Sequence, residues 1–297
     1  MTRLGRFLLN SLCKTKLCIN PLFWIIVSFS IIRGDFVPII TFFVLSFIHE
    51  LGHLTAAYLF NWKISSIEIA PFGGMLKTDD WSTALAREEI IVVLAGPLYN
   101  VCLGFFLHLI FCAGIWTGQW HYYFLFCNLI IACFNMLPIY PLDGGRLLQA
   151  LLSYYVPYDK CLFITQLFSL FSATGLFVAS FLLPASGIHL PIAICASFLF
   201  FLNYQALRNR QYLYLRFLLA RMRKGVNYNQ PISPKIIDQS KPLYVAMSQW
   251  YKERYNIITV TNEQGYAIGV LPEKTLLQLF FSNKDHSLTL GALLTKD

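Results

Sequence analysis

Residues 42–54 read Phe42-Phe43-Val44-Leu45-Ser46-Phe47-Ile48-His49-Glu50-Leu51-Gly52-His53-Leu54. Two histidines and a glutamate interrupt an apolar run. An ionisable side chain at bilayer depth costs about 2.5–3.5 kcal/mol on insertion scales, so three together need a compensating partner. The spacing supplies one. At i and i+4 both imidazoles project from one helix face and can bind a single Zn2+. Glu50 is offset toward the same site, close enough to take a proton from zinc-activated water. The plainer reading is a polar cluster that packs helices by hydrogen bonds.

The rest of the chain places that run in a membrane. Of 297 residues, 57% are hydrophobic and only 13% charged, against roughly 25% charged in an average soluble domain. Soluble, disordered and fibrous classes are excluded by these figures. About six transmembrane helices are expected, at roughly 17–32, 36–60, 90–116, 122–136, 161–183 and 188–207, each near the length a bilayer requires. The first is the weakest, being short and broken by Pro21. The net charge is +8, and ten of the 23 basic residues lie in two acid-free segments, 1–20 and 208–224. Thirteen basic residues against fifteen acidic ones remain. The excess is therefore a topology signal that puts both termini on the cytoplasmic side. It is not the footprint of a nucleic-acid partner. The expected inside loops carry Lys63, Lys77, Arg87, Arg146 and Lys160. The expected outside loops (33–35, 117–121 and 184–189) carry one basic residue in all, Arg33. No cleavable signal peptide is evident, and the eight cysteines form neither CxxC pairs nor a disulfide framework.

Two histidines need a third ligand for a catalytic zinc. His108 lies mid-span without a motif, while His121, His189 and His286 are expected in loops or the tail. Asp143 stands out, within Asn135-Met136-Leu137-Pro138-Ile139-Tyr140-Pro141-Leu142-Asp143-Gly144-Gly145. Pro138 and Pro141 stop the preceding helix and the two glycines permit a tight turn. A helix broken near the bilayer presents backbone and a carboxylate, tolerated only inside protein or a wet cavity. The competing role for Asp143 is N-cap of the helix that follows. Asn135, Pro138 and Pro141, with Gly73 and Gly74 in Pro71-Phe72-Gly73-Gly74, are candidate substrate contacts, since extended backbone pairs with an incoming peptide. Asn135 and Asn100 could instead bond helix to helix.

Beyond residue 225 the composition becomes that of a small globular domain. Leu243–Tyr251 reads as a helix, Ile257–Val260 and Tyr266–Leu271 as a hairpin about Asn262–Gly265, and Glu273–Phe281 as a second helix opened by Pro272. The basic linker 208–225 alternates Arg with Tyr, Leu and Phe. It reads as a helix at the membrane face or as a plain stop-transfer flank.

The pairing of His49-Glu50-Leu51-Gly52-His53 with the Asn135–Gly145 stretch resembles the site-2 protease family of intramembrane zinc metalloproteases. Ala95-Gly96-Pro97-Leu98-Tyr99-Asn100 resembles that family's glycine-proline element, and Pro71–Gly74 its membrane-dipping hairpin. Tyr255–Thr261 with Gly265 and Ala267–Val270 resembles one CBS motif, which places the chain near the family's sporulation branch. The resemblance implies an all-α polytopic membrane domain (1–207) with a dipping hairpin and a broken helix, a basic linker helix (208–225) and a small α/β CBS domain (226–297). It implies His49, His53 and Asp143 as zinc ligands, Glu50 as general acid/base, and removal of the pro-sequence of a sigma factor precursor in the mother-cell membrane around the forespore. It also implies inhibitory membrane partner proteins and ATP at the CBS domain. CBS motifs work in pairs and this chain has one, so a homo-oligomer would be needed. A metal or proton transporter is the rival class, since broken helices and buried ionisable groups mark those too. No halves of similar pattern are visible, however, and a glutamate between two metal histidines suits water activation. An inactive sigma-binding scaffold is the third class; the intact Glu50 argues against it.

Overall fold

A computed structural model describes residues 16–19, 24, 27–28, 31–32, 34, 36–70, 73–78, 80–81, 83–115, 118–182, 190–224, 230–282 and 289–294. Pro71, Phe72, His189, His286 and the first basic residues Arg3, Arg6 and Lys14 lie outside these, so the roles expected of them do too. The chain divides into two compact units, Met1–Leu147 with Ser169–Leu202, and Leu148–Phe168 with Asn203–Asp297.

The described elements of the first half are β1 (Lys16–Ile19), α1 (Phe36–Leu59), β2 (Ile64–Ala70), β3 (Gly73–Thr78), α2 (Ala86–Cys112), α3 (Gln119–Asn135), α4 (Asp143–Tyr155), α5 (Tyr158–Leu182) and α6 (Leu190–Arg208). Among the described residues, α1, α2, α5 and α6 are long and apolar enough to cross a membrane. Their outward side chains are apolar as well: Val101 and Phe105 on α2 are each 64% exposed and Phe171 on α5 is 71% exposed. Such a surface suits lipid and not water. α3, expected as a span, has 17 residues, about 26 Å of helix, somewhat short of a hydrocarbon core of about 30 Å.

The expected first span is not helical from its start. Lys16–Ile19 is a strand that pairs in parallel with β2, Leu17 opposite Ile67. Ladder bonds satisfy its backbone, and Pro21 would have interrupted a helix there in any case. The hairpin of β2 and β3 is antiparallel, with Ala70 opposite Gly73 and Ile69 opposite Gly74. The sheet order β1-β2-β3 leaves β3 at an edge.

α1 packs along α2 because small residues allow it. A Cβ at Gly52 would lie 2.5 Å from the Ala95 carbonyl oxygen. Below the contact Leu54, Ala57, Trp62, Ala84 and Val92 form a buried cluster. Glu88 accepts a hydrogen bond from Trp62 Nε1 at 3.1 Å.

The second half continues with α7 (Arg210–Lys224), β4 (Ile232–Asp238), α8 (Leu243–Met247), β5 (Tyr255–Thr261), β6 (Ala267–Pro272), α9 (Glu273–Ser282) and α10 (Leu290–Leu294). β4 runs parallel to β5, and β5 antiparallel to β6. The hairpin closes where expected, with Gly265 at φ +83° in the left-handed region glycine tolerates. The expected helix 243–251 is shorter, ending at Met247. Trp250, which follows it, is instead fully buried in the core with Met247, Ile258 and Leu276.

The linker helix has one face buried in protein. Tyr214, Phe217 and Leu218 of α7 are at most 2% exposed and belong to that core. Arg221 donates to both oxygens of the buried Glu273, to the Lys252 carbonyl at 2.7 Å and to the Arg254 carbonyl at 3.0 Å. Glu273 also accepts from Asn256 N at 3.0 Å. A buried carboxylate is stable only when paired and hydrogen-bonded in this way.

Candidate metal centre

His49 and His53 lie one turn apart on the buried face of α1. Helical spacing brings their rings together, with centroids 4.8 Å apart at an interplanar angle of 81°. Their Nε2 atoms approach to 3.1 Å. Asp143 reaches the same point from the start of α4: its Oδ2 is 2.9 Å from His49 Nε2 and 3.1 Å from His53 Nε2. One carboxylate oxygen and two imidazole nitrogens thus form a triangle of nearly equal sides. Four ligands about a zinc at 2.0–2.1 Å stand about 3.3 Å from one another, so the donor set fits a tetrahedral zinc with one open position.

The tautomer of His53 is set from outside the triangle. Its Nδ1 lies 2.8 Å from the Val92 carbonyl oxygen of α2. The N–H therefore sits on Nδ1, and the Nε2 lone pair faces the triangle, the usual outer support of a metal histidine. His49 Nδ1 is buried, with no hydrogen-bond partner among the described residues.

Glycines set the close approaches. A Cβ on Gly96 of α2 would lie 2.8 Å from His49 Nε2 and closer still to the His53 ring. Residues 136–142, with a cis Tyr140–Pro141 peptide, fold back over the first turn of α4. A Cβ on Gly144 or Gly145 would run into the backbone of Met136–Leu137 or Ile139–Tyr140. Backbone bonds from Leu142 N to Ile139 O (2.8 Å) and from Arg146 N to Leu142 O (3.0 Å) complete the entry to α4. Tyr140 N donates to Ser169 Oγ at 2.9 Å, tying this segment to α5. The break in the chain at Pro138 and Pro141 thus orients Asp143. Its carboxylate is spent on the two histidines and not on capping the helix.

Glu50 is partly exposed and lies within electrostatic range of His49, His53, Asp143 and Arg146. Asn135 is partly buried, and its Nδ2 donates to the Ile131 carbonyl of its own helix at 3.1 Å. Pro138 is exposed and Pro141 buried. Gly73 and Gly74 open the edge strand β3. His108 stands away from the triangle, 3.7 Å from Cys112 Sγ. His121 is not in a loop: it lies in the first turn of α3, 1% exposed, with its ring stacked on Phe111 at 4.2 Å. Val92 and the closeness of Gly96 escape sequence reasoning. A carbonyl is common to every residue type, and a lone helical glycine reads as a packing feature until its neighbour is known.

Residues 37–117 and 112–173 match the model of peptidase family M50. Stage IV sporulation protein FB of Bacillus subtilis is 27% identical over 279 residues, spanning 94% of this chain and 96% of that protein. A zinc metalloprotease of Methanocaldococcus jannaschii is 33% identical over 143 residues, 46% of this chain and 41% of that one. The solved site-2 protease from the same archaeon matches with a TM-score of 0.54 at 24% identity, over 65% of this chain and 91% of that chain, a likeness of fold. Residues 37–173, which carry the histidine–aspartate triangle, thus match peptidase family M50, and these likenesses support a metalloprotease.

Proposed function

We propose that this chain is an intramembrane zinc endopeptidase in which His49, His53 and Asp143 hold the metal and Glu50 is the general base. The observation that carries the reading is the convergence of two Nε2 atoms and one carboxylate oxygen, all within 3.1 Å, beside a partly exposed glutamate. Zinc held by these residues would supply acidified water and a polarised carbonyl. Glu50 would take a proton from water at the site and return it to the leaving amine. Val92 holds the His53 tautomer, and Gly96 keeps α2 close enough to exclude bulk water from the ring edges. The peptide must be unwound to expose its carbonyl. The edge strand β3, opening at Gly73 and Gly74, offers ladder groups to an extended segment, with Asn135, Pro138 and Pro141 as further contacts.

The substrate we propose is a sigma factor precursor of the pro-sigma-K type that loses its pro-sequence. The similarity to stage IV sporulation protein FB over nearly the whole chain supports this. The β4-α8-β5-β6-α9 order supports a single CBS-type domain, which would meet a cytoplasmic precursor if both termini are cytoplasmic and six segments span the bilayer. One such domain per chain suggests pairing between copies, with ATP as a ligand of the pair, and membrane proteins as inhibitors. The test is co-expression of the chain with the precursor, wild type beside Glu50→Gln. Processing by the wild type and none by the variant, with equal zinc content, is expected; equal processing by both would remove Glu50 from its role.

A further inference from the structure

Arg146 lies one turn beyond Asp143 on α4, and residues three apart share a helix face. Its guanidinium is stacked on the Trp81 ring, 4.2 Å from the centroid. Trp81 packs edge-on against Trp62 at 4.9 Å, and Trp62 is held in turn by its bond to Glu88. The stack fixes the guanidinium plane through its face and leaves the five N–H donors around its edge unspent. Among the described residues the Arg146 side chain forms no hydrogen bond or ion pair, though the field of Glu50 reaches it. The contrast with the other oriented arginines is direct. Arg221 spends its fork on Glu273 and two carbonyls, and Arg210 is paired with Asp159 at 3.4 Å. Arg146 is partly exposed, so its edge is within reach of a ligand.

We propose that Arg146 forms a specificity subsite that binds the carboxylate of an Asp or Glu in the substrate, close to the bond that is cut. A planar fork matches a carboxylate with two parallel N–H···O bonds, which an ammonium does not reproduce. Trp81 removes the entropy cost of ordering the guanidinium on binding. The inference rests on the metalloprotease reading above, and its test separates the two.

The test uses full-length enzyme in detergent with a series of membrane-anchored substrates that carry Glu, Gln or Lys at successive positions flanking the cleaved bond. Zinc content and kcat/KM are measured for wild type, Arg146→Gln, Arg146→Lys, Arg146→Glu and Trp81→Phe. At one position the wild type prefers Glu to Gln by about tenfold or more, as a charge-assisted pair allows. Arg146→Gln cleaves the two alike, Arg146→Glu turns the preference toward Lys, and Arg146→Lys and Trp81→Phe keep part of it. The effect lies in KM, with zinc unchanged. A wild type that cleaves every substrate alike, or a preference that survives in Arg146→Gln, overturns the subsite and leaves the protease reading standing. Cleavage that persists in Glu50→Gln contradicts that reading and leaves the subsite to be judged by its own preference.

Discussion

Replacing Gly96 with alanine tests whether the histidine pair is held to the tolerance a metal requires. The new Cβ would stand 2.8 Å from His49 Nε2 and nearer to the His53 ring. An ordinary contact is about 3.5 Å, so His49 Nε2 must retreat by about 0.7 Å, and His53 by more. Ligand distances of a working site hold to about 0.2 Å. The surroundings cannot relax freely, because Gly52 already brings the Ala95 carbonyl against α1. Overpacking of this kind costs about 1–3 kcal/mol, and disturbing the support of a ligand costs on the order of 10–100-fold in metal affinity. Competition with a chromophoric chelator reads the affinity, and circular dichroism reports whether the helices persist. Gly175 on α5, where an added Cβ would meet nothing within 4 Å, is the control: its alanine variant binds zinc as the wild type does. A Gly96→Ala protein with wild-type zinc affinity would refute the packing argument.

Further outcomes follow from the same geometry. Gly145→Ala displaces the turn that orients Asp143, and zinc affinity falls while His49 and His53 remain, measured by the same titration. Glu273→Gln leaves the partly buried Arg221 with a weakened partner, at a cost of up to about 3 kcal/mol; hydrogen exchange of α7 and α9 in the full chain reads the loss, and unchanged protection would contradict it. Burial holds the Tyr214 phenol, which donates to the Met247 carbonyl, well above its ordinary pKa, with Asp159 adding to the effect. A raised folded-state value contributes stability that is complete below about pH 10, the unfolded value, and is lost as pH rises toward the folded one. Tyr214→Phe therefore flattens the alkaline loss of tail stability, followed by Trp250 fluorescence; an unchanged profile would contradict the assignment.

What is legible in the sequence is the chemistry with a fixed local spacing. His49 and His53 are set by helix periodicity alone, and Asp143 is announced by Pro138 and Pro141, which end the preceding helix; Gly144 and Gly145, read as a tight turn, lie instead in the first turn of α4. The hairpin at Asn262–Gly265 is equally plain. Features that depend on a distant partner are not. Lys16–Ile19 reads as the start of a helix because its strand exists only through pairing with β2. Ile232–Asp238 has no reading in the sequence and forms strand β4; its Pro234 is tolerated because β4 lies at a sheet edge. α7 reads as a helix at the membrane face or a stop-transfer flank, and the pairing of its Arg221 with the buried Glu273 is not legible because that partner lies 52 residues on. His121 reads as a loop residue because its helix begins only two positions earlier, after a glycine at φ +117°.

The central claim is that His49, His53 and Asp143 together hold a zinc ion. Zinc-edge X-ray absorption on the purified chain tests it most directly. The account predicts one zinc per chain with nitrogen and oxygen neighbours at about 2.0–2.1 Å, two of them imidazole, and a spectrum that loses an imidazole shell in His49→Ala. A sulfur neighbour near 2.3 Å, or a spectrum indifferent to His49, would contradict it.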